Sequence, residues 1–328
     1  MRDYAYQCKD YSLLTPAFKR VCVTPLLKFI PWGIPANIIT IISNSFFYIA
    51  LYLSFDQSVL GKWNYMVIPL LLLAYLIGDH LDGAQAKRTG TGSALGEFCD
   101  HYLDAFNNGI LLLILFNLFN VTNPWLVTTV LILSYLAHVS VFYEQFKTGW
   151  LIFEKIGSLE GVLLSAVLIS WAHFEPVHTF YITPVLYGFS LMEIFLMLTA
   201  LGGLITFVKT VSRTPNVRYS IWMYTISLII IGVVSSILFS YWAIAIVITL
   251  YSSLYLGKIM NGHLIDGIER SPGIFSPLFL LIIYFMPSLY AGNTFLVISI
   301  YLIANIIILI FRTFQSLGQF WVWVNPRK

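Results

Sequence analysis

The sequence predicts an all-α, polytopic integral membrane protein of about ten spans, and three observations carry that prediction. Of the 328 residues, 59% are hydrophobic and only 10% charged, with a mean hydropathy of +0.82; soluble domains carry about 25% charged residues. Apolar runs near the roughly 20 residues that cross a bilayer fall at 36–55, 64–82, 98–119, 124–145, 157–174, 179–207, 217–238, 240–257, 275–290 and 292–312. With the N-terminus cytoplasmic, that count leaves only Lys62 of the 18 Lys and Arg residues on the far side, as the positive-inside rule requires. Adding or removing a span before the C-terminal third spoils the partition, so both termini are expected in the cytoplasm.

Taken in order, residues 1–34 form an interfacial segment, 35–210 a six-span core and 211–328 a four-span C-terminal region. Lys9, Lys19, Arg20 and Lys28 alternate with apolar residues in the first region. The stretch 15–30 therefore reads as an amphipathic helix on the membrane surface, with a break at Pro25 and an end at Pro31, Gly33 and Pro35. The run 217–257 is split at Ser240, and Pro287 is a candidate kink in the short ninth span. Cys8, Cys22 and Cys99 show neither metal-binding spacing nor a disulfide framework. The first residues lack the charged-then-apolar pattern of a cleavable signal peptide. No nucleic-acid partner is expected.

Chemistry concentrates in residues 79–104, which hold four of the chain's eight Asp residues. Asp79 and Asp82 are three apart at the end of one apolar run, and Asp100 and Asp104 are four apart before the next. Each pair shares a helix face, and the Gly-rich stretch 89–93 lets the chain turn back. Four carboxylates brought together cannot all stay ionised without cations between them. Hard oxygen ligands favour Mg²⁺, Mn²⁺ or Ca²⁺. Two such ions about 3.5–4 Å apart clamp displacements at phosphorus. Lys87, Arg88 and the nearby glycines suit a phosphate-rich substrate.

Asp79, Asp82, Gly83, Ala86, Lys87, Gly96, Asp100 and Asp104 fit the spacing D-x2-D-G-x2-A-R-x8-G-x3-D-x3-D, and in this the chain resembles the CDP-alcohol phosphotransferases. The departure is Lys87, where the pattern has Arg. Gln85, Arg88-Thr89, Leu95-Gly96-Glu97 and His101 make the run similar to the choline/ethanolamine branch. Ala84 and Tyr102-Leu103 depart from that branch.

The resemblance implies transfer of phosphoethanolamine or phosphocholine from CDP-ethanolamine or CDP-choline to a lipid hydroxyl, diacylglycerol before ceramide, with release of CMP. CDP-diacylglycerol as donor is the alternative within the family. It further implies two Mg²⁺ or Mn²⁺ ions on Asp79, Asp82, Asp100 and Asp104, and a CDP-alcohol held by Asn37, Gly83, Ala86, Lys87, Arg88, Gly96 and Glu97. The proton-abstracting base is His101 or Asp104, with Glu160 supporting the imidazole. A homodimer is expected, with the acidic turn facing the cytoplasm from the endoplasmic reticulum or Golgi membrane in a eukaryote, or from the inner membrane in a bacterium.

Two further groups stand apart. Glu193 lies within the expected sixth span and needs a partner such as Ser190. His263 follows the eighth span and receives no role. A transporter with an acidic ion site is the rival class, but its usual inverted repeats and mid-membrane site are not visible in the sequence.

Overall fold

The computed structural model describes residues 6–286 and 293–318. Arg2, Pro287, the end of the expected ninth span, the first residue of the tenth, Arg327 and Lys328 lie outside the described residues. The helices in chain order are α1 (Thr15–Phe18), α2 (Thr24–Leu27), α3 (Ala36–Phe55), α4 (Asn64–Thr89), α5 (Ala94–Leu118), α6 (Pro124–Thr148), α7 (Ser158–Trp171), α8 (Glu175–Ile182), α9 (Leu191–Arg213), α10 (Tyr219–Leu238), α11 (Tyr241–Asn261), α12 (Phe275–Phe285) and α13 (Thr294–Leu317). The only strands among the described residues are two- or three-residue pieces. The chain is an all-α, multi-pass membrane protein.

Seven of these helices are long and apolar enough to cross a membrane: α3, α6, α9, α10, α13, and two that include the short turns flanking α4 and α11, Gly61–Thr89 and Tyr241–Asp266. The other three expected spans are helical with differences. α5 has 25 residues, but its first half is polar. α7 has only 14 residues, a rise of roughly 21 Å, before α8 begins at Glu175. α12 has 11 residues and ends at Phe285. The expected sixth span, 179–207, starts later than its apolarity suggests: Pro184–Leu186 and Phe189–Ser190 form an antiparallel hairpin, and Gly188 at φ 83° supplies its tight turn.

Among the described residues, one compact unit contains 6–104, 152–181 and 317–318. Pro35 starts α3 in extended geometry and forbids a helix running through it. Gly90, left-handed at φ 67°, ends α4 with its N–H on the Ala86 carbonyl. α3 and α4 approach most closely where Gly78 faces Ser43; a Cβ on Gly78 would overlap the serine side chain. Phe47 meets Tyr75 edge-on at 4.5 Å. α7 lies against α4 in the same unit.

The stretch 15–27 is helical, as expected, but its middle, Lys19–Val23, is a wide π-turn. Pro25 explains this: its ring crowds the carbonyl four residues earlier, so the preceding turn opens. Phe18 and Val23 are buried while Val21, Leu26 and Phe29 are exposed, which gives the segment an outward apolar side suited to a bilayer surface.

Among the described residues, the second unit contains 105–151, 182–286 and 293–316. Asn123 caps α6 by accepting from the backbone N–H groups of Trp125 and Leu126. Ser190 and Glu193 cap α9 reciprocally: the Ser190 N–H donates to Glu193 at 2.8 Å and the Glu193 N–H to Ser190 Oγ at 3.2 Å. Glu193 thus has the partner that the sequence demanded, at a helix start rather than within a span. α6 and α9 approach backbone to backbone where Gly203 faces the Leu133 carbonyl; a Cβ there would come 2.9 Å from that oxygen.

Candidate active site

Helical phase brings the motif residues of α4 and α5 to one place. Carboxylate oxygens of Asp79, Asp100 and Asp104 lie within 4.8 Å of one another. Asp82 is buried beside them, and its Oδ2 accepts a 2.5 Å hydrogen bond from Thr40 of α3. Asp104 Oδ1 accepts from the Tyr75 hydroxyl at 2.6 Å. Asp79 Oδ2 is 3.4 Å from His80 Nδ1, and Asp100 Oδ2 is 3.8 Å from His101 Nδ1. Asp100 Oδ1 is buried without a hydrogen-bond partner.

That orphaned oxygen tests whether the site fits a metal. A buried carboxylate oxygen with no donor costs free energy, and a divalent cation would supply what no side chain does. The donor set is entirely hard oxygen, which selects Mg²⁺ or Mn²⁺ over softer metals. Asp79, Asp100 and Asp104 converge closely enough to share an ion, and Asp82, whose Oδ2 accepts from Thr40, is the fourth carboxylate of the expected set.

The residues expected to hold the CDP-alcohol divide into two groups. Gly83 is exposed with open space where a Cβ would project, and Lys87 is exposed on the same helix. A Cβ on Gly96 would come 3.3 Å from Asn37 Oδ1, so the glycine lets α5 sit against the start of α3. Ala86 is half-buried, and Glu97 is buried one turn before His101. These residues belong to the same unit as the acidic cluster.

Arg88 and Glu160 are corrections. Arg88 donates to the carbonyls of Leu27 and Ile30 at 2.7 and 2.8 Å, bonds Gln85 and stacks 4.8 Å over the Trp32 ring. Gln85 likewise donates to the carbonyls of Pro31 and Ile34. Both Nη atoms of Arg88 thus tether the 27–34 stretch, while its Nε is buried without a hydrogen-bond partner. Glu160 Oε1 accepts from Ser12 Oγ at 2.6 Å and the Leu14 N–H at 3.1 Å, while Oε2 accepts from the Gly157 N–H at 2.8 Å. Both carboxylate oxygens serve the N-terminal segment and the start of α7, not the imidazole of His101. Glu97, four residues before His101, shares its helix face.

Sequence reasoning missed Thr40, Tyr75, Tyr6 and Phe18. Thr40 lies three residues after Asn37, and Tyr75 four before Asp79, so helical spacing held the signal for both. Tyr6 stacks on His101, centroids 6.0 Å apart, and Phe18 meets His80 edge-on at 5.3 Å. Nothing local in the sequence announces those two contacts.

A helical membrane bundle with an acidic, oxygen-only cluster at the junction of two helices defines a class of membrane transferase. The chain belongs to the CDP-alcohol phosphatidyltransferase family, whose profile matches residues 34–206. It is 28% identical over 177 residues to choline/ethanolaminephosphotransferase 1 of Saccharomyces cerevisiae, covering 51% of this chain and 44% of the relative. It is 33% identical over 110 residues to choline/ethanolaminephosphotransferase 1 of Arabidopsis thaliana, covering 32% and 28%. A CDP-diacylglycerol–serine O-phosphatidyltransferase of Encephalitozoon cuniculi is 30% identical over 175 residues, covering 50% and 44%. The chain thus spans less than half the length of these relatives.

Proposed function

We propose that the protein transfers phosphoethanolamine or phosphocholine from its CDP derivative to the hydroxyl of diacylglycerol, releasing CMP. The observation that carries this reading is the trio Asp79, Asp100 and Asp104 within 4.8 Å, with an orphaned oxygen among them. A bound pair of divalent ions supplies charge neutralisation for the pyrophosphate and for the departing CMP.

The chain's own residues do the rest. Asp79, Asp82, Asp100 and Asp104 would hold the ions, and Thr40 and Tyr75 fix the Asp82 and Asp104 carboxylates by hydrogen bonds. The open surface at Gly83 admits the nucleotide close to α4, and Lys87 meets its phosphate oxygens. The lipid oxygen attacks the phosphorus that bears the amino-alcohol; that P–O bond forms as the bond to CMP breaks, and CMP keeps the electron pair. The hydroxyl proton passes to His101, because Asp104 already accepts from Tyr75 and would be a metal ligand.

The choline/ethanolamine relatives and the Gln85, Glu97 and His101 positions support an amino-alcohol donor. The serine transferase relative supports the second reading, CDP-diacylglycerol with a soluble alcohol; ceramide is the other acceptor to weigh. We place the site on the cytoplasmic face of an endoplasmic reticulum or Golgi membrane, in a homodimer. Purified protein with labelled CDP-ethanolamine, CDP-choline or CDP-diacylglycerol, each with its acceptors, tests this. CMP release with diacylglycerol and a CDP-amino-alcohol is expected. Turnover of CDP-diacylglycerol alone would overturn it. A Cys at Thr91 should react with impermeant maleimide only from the cytoplasm, and one at Lys62 only from the other side.

A further inference from the structure

The described N-terminal stretch runs directly over the site. Tyr11 and Leu13 donate backbone N–H groups to the carbonyls of Phe153 and Lys155, each at 3.1 Å. Ser12 Oγ gives its proton to Glu160 and accepts from Thr15 N–H at 3.0 Å. Leu14 N–H closes on the same carboxylate oxygen. This anchoring holds the chain so that the half-exposed Tyr6 ring lies on His101 at an interplanar angle of 29°. Farther along the segment, Phe18 packs against His80. Both imidazoles that adjoin motif carboxylates thus carry an aromatic ring from the N-terminal segment.

We propose that residues 6–14 are a strap that positions His101, with Tyr6 as its contact and Glu160 as its anchor. The proposal rests on the transfer reading above. Glu160 acts on the imidazole through Ser12, Leu14 and the strap. Tyr6 holds one face of the ring, so the nitrogen that takes the lipid proton keeps its aim. Neither residue touches the donor or the metals. Loss of the strap therefore lowers kcat and leaves KM for the donor alone.

The test uses full-length protein in lipid nanodiscs with Mn²⁺. Tyr6→Ala should lower kcat about three- to tenfold, the rate equivalent of one aromatic pair, with KM for the CDP-amino-alcohol within about twofold. Tyr6→Phe should restore kcat, because the ring and not the hydroxyl makes the stack. Ser12→Ala and Glu160→Ala should resemble Tyr6→Ala, and adding Tyr6→Ala to Glu160→Ala should cost nothing more, because the two act in series. A second readout needs no turnover: maleimide modification of Cys8, located by mass spectrometry, should run several-fold faster in Glu160→Ala and Ser12→Ala. Wild-type kcat in Tyr6→Ala, equal losses in the Phe and Ala variants, or unchanged Cys8 labelling in both anchor variants would each overturn the strap. If the wild-type protein releases no CMP from any donor, the transfer reading falls, and the Cys8 rates still decide whether Glu160 anchors the segment.

Discussion

Glu144 and Glu269 each meet a cation from elsewhere in their unit, whereas Asp79, Asp82 and Asp100 meet hydroxyl, imidazole and backbone groups and neighbouring carboxylates. Glu144 is gripped by Arg213 through Nε at 2.5 Å and Nη2 at 2.7 Å. Glu269 is bonded by Lys147, Ser220 and by Tyr143 at 3.0 Å, with Arg218 Nε 3.7 Å away. Among the described residues, Asp79, Asp82 and Asp100 have no Lys or Arg ion pair. The glutamates are compensated internally and hold helices together. The aspartates have no such cation from the protein itself, and a bound metal ion would supply one.

Exchanging charge at the two places should therefore have opposite consequences. Asp100→Ala should cut CMP release by more than about 10³-fold, since it removes charge that the ions require. Its thermal midpoint in chelator should hold or rise, because a like-charge neighbour is gone. A variant that keeps turnover, or one that unfolds, would place Asp100 with the structural glutamates.

His101→Ala should cut turnover by about 10²–10⁴-fold, the range for loss of a general base, with donor and metal affinity little changed in titration calorimetry. Asp104→Asn should weaken metal binding as well. If instead His101→Ala turns over normally and Asp104→Asn binds metal yet is dead, Asp104 is the base.

On the other side of the comparison, Glu144→Ala should remove the carboxylate that bonds Arg213 through two nitrogens and cost about 1–3 kcal/mol of stability, softened because Arg213 reaches water. Metal affinity should not move. Chemical unfolding in detergent, with and without Mn²⁺, checks both.

The smallest effect is in pH. Burial pushes the Glu269 carboxyl up, but the hydrogen bonds from Lys147, Ser220 and Tyr143 outweigh it and hold the group below its ordinary 4.5. A group depressed in the folded state lends stability above its unfolded value and loses it as pH falls through the folded one. The thermal midpoint should therefore drop below about pH 4.5, and Glu269→Gln should flatten that limb.

The acidic site was legible because its residues sit three and four apart on two helices, and that spacing survives folding whatever surrounds it. Arg88 and Glu160 were misread for the opposite reason. Their partners are backbone and hydroxyl groups 61, 58, 148 and 146 residues away, which no local pattern encodes. The hairpin at 184–190 was hidden by its apolar composition, which looks the same whether the backbone is extended or helical. The short α7 was misread likewise, because hydropathy reports burial and not where a helix stops.

The most direct test of the account is thermal unfolding with and without Mn²⁺ or Mg²⁺. The ion should raise the wild-type midpoint by several degrees, as binding only the folded state must. That gain should vanish in Asp100→Ala and persist in Glu269→Gln. An equal gain in all three proteins, or none in the wild type, would contradict a metal centre at the junction of α4 and α5.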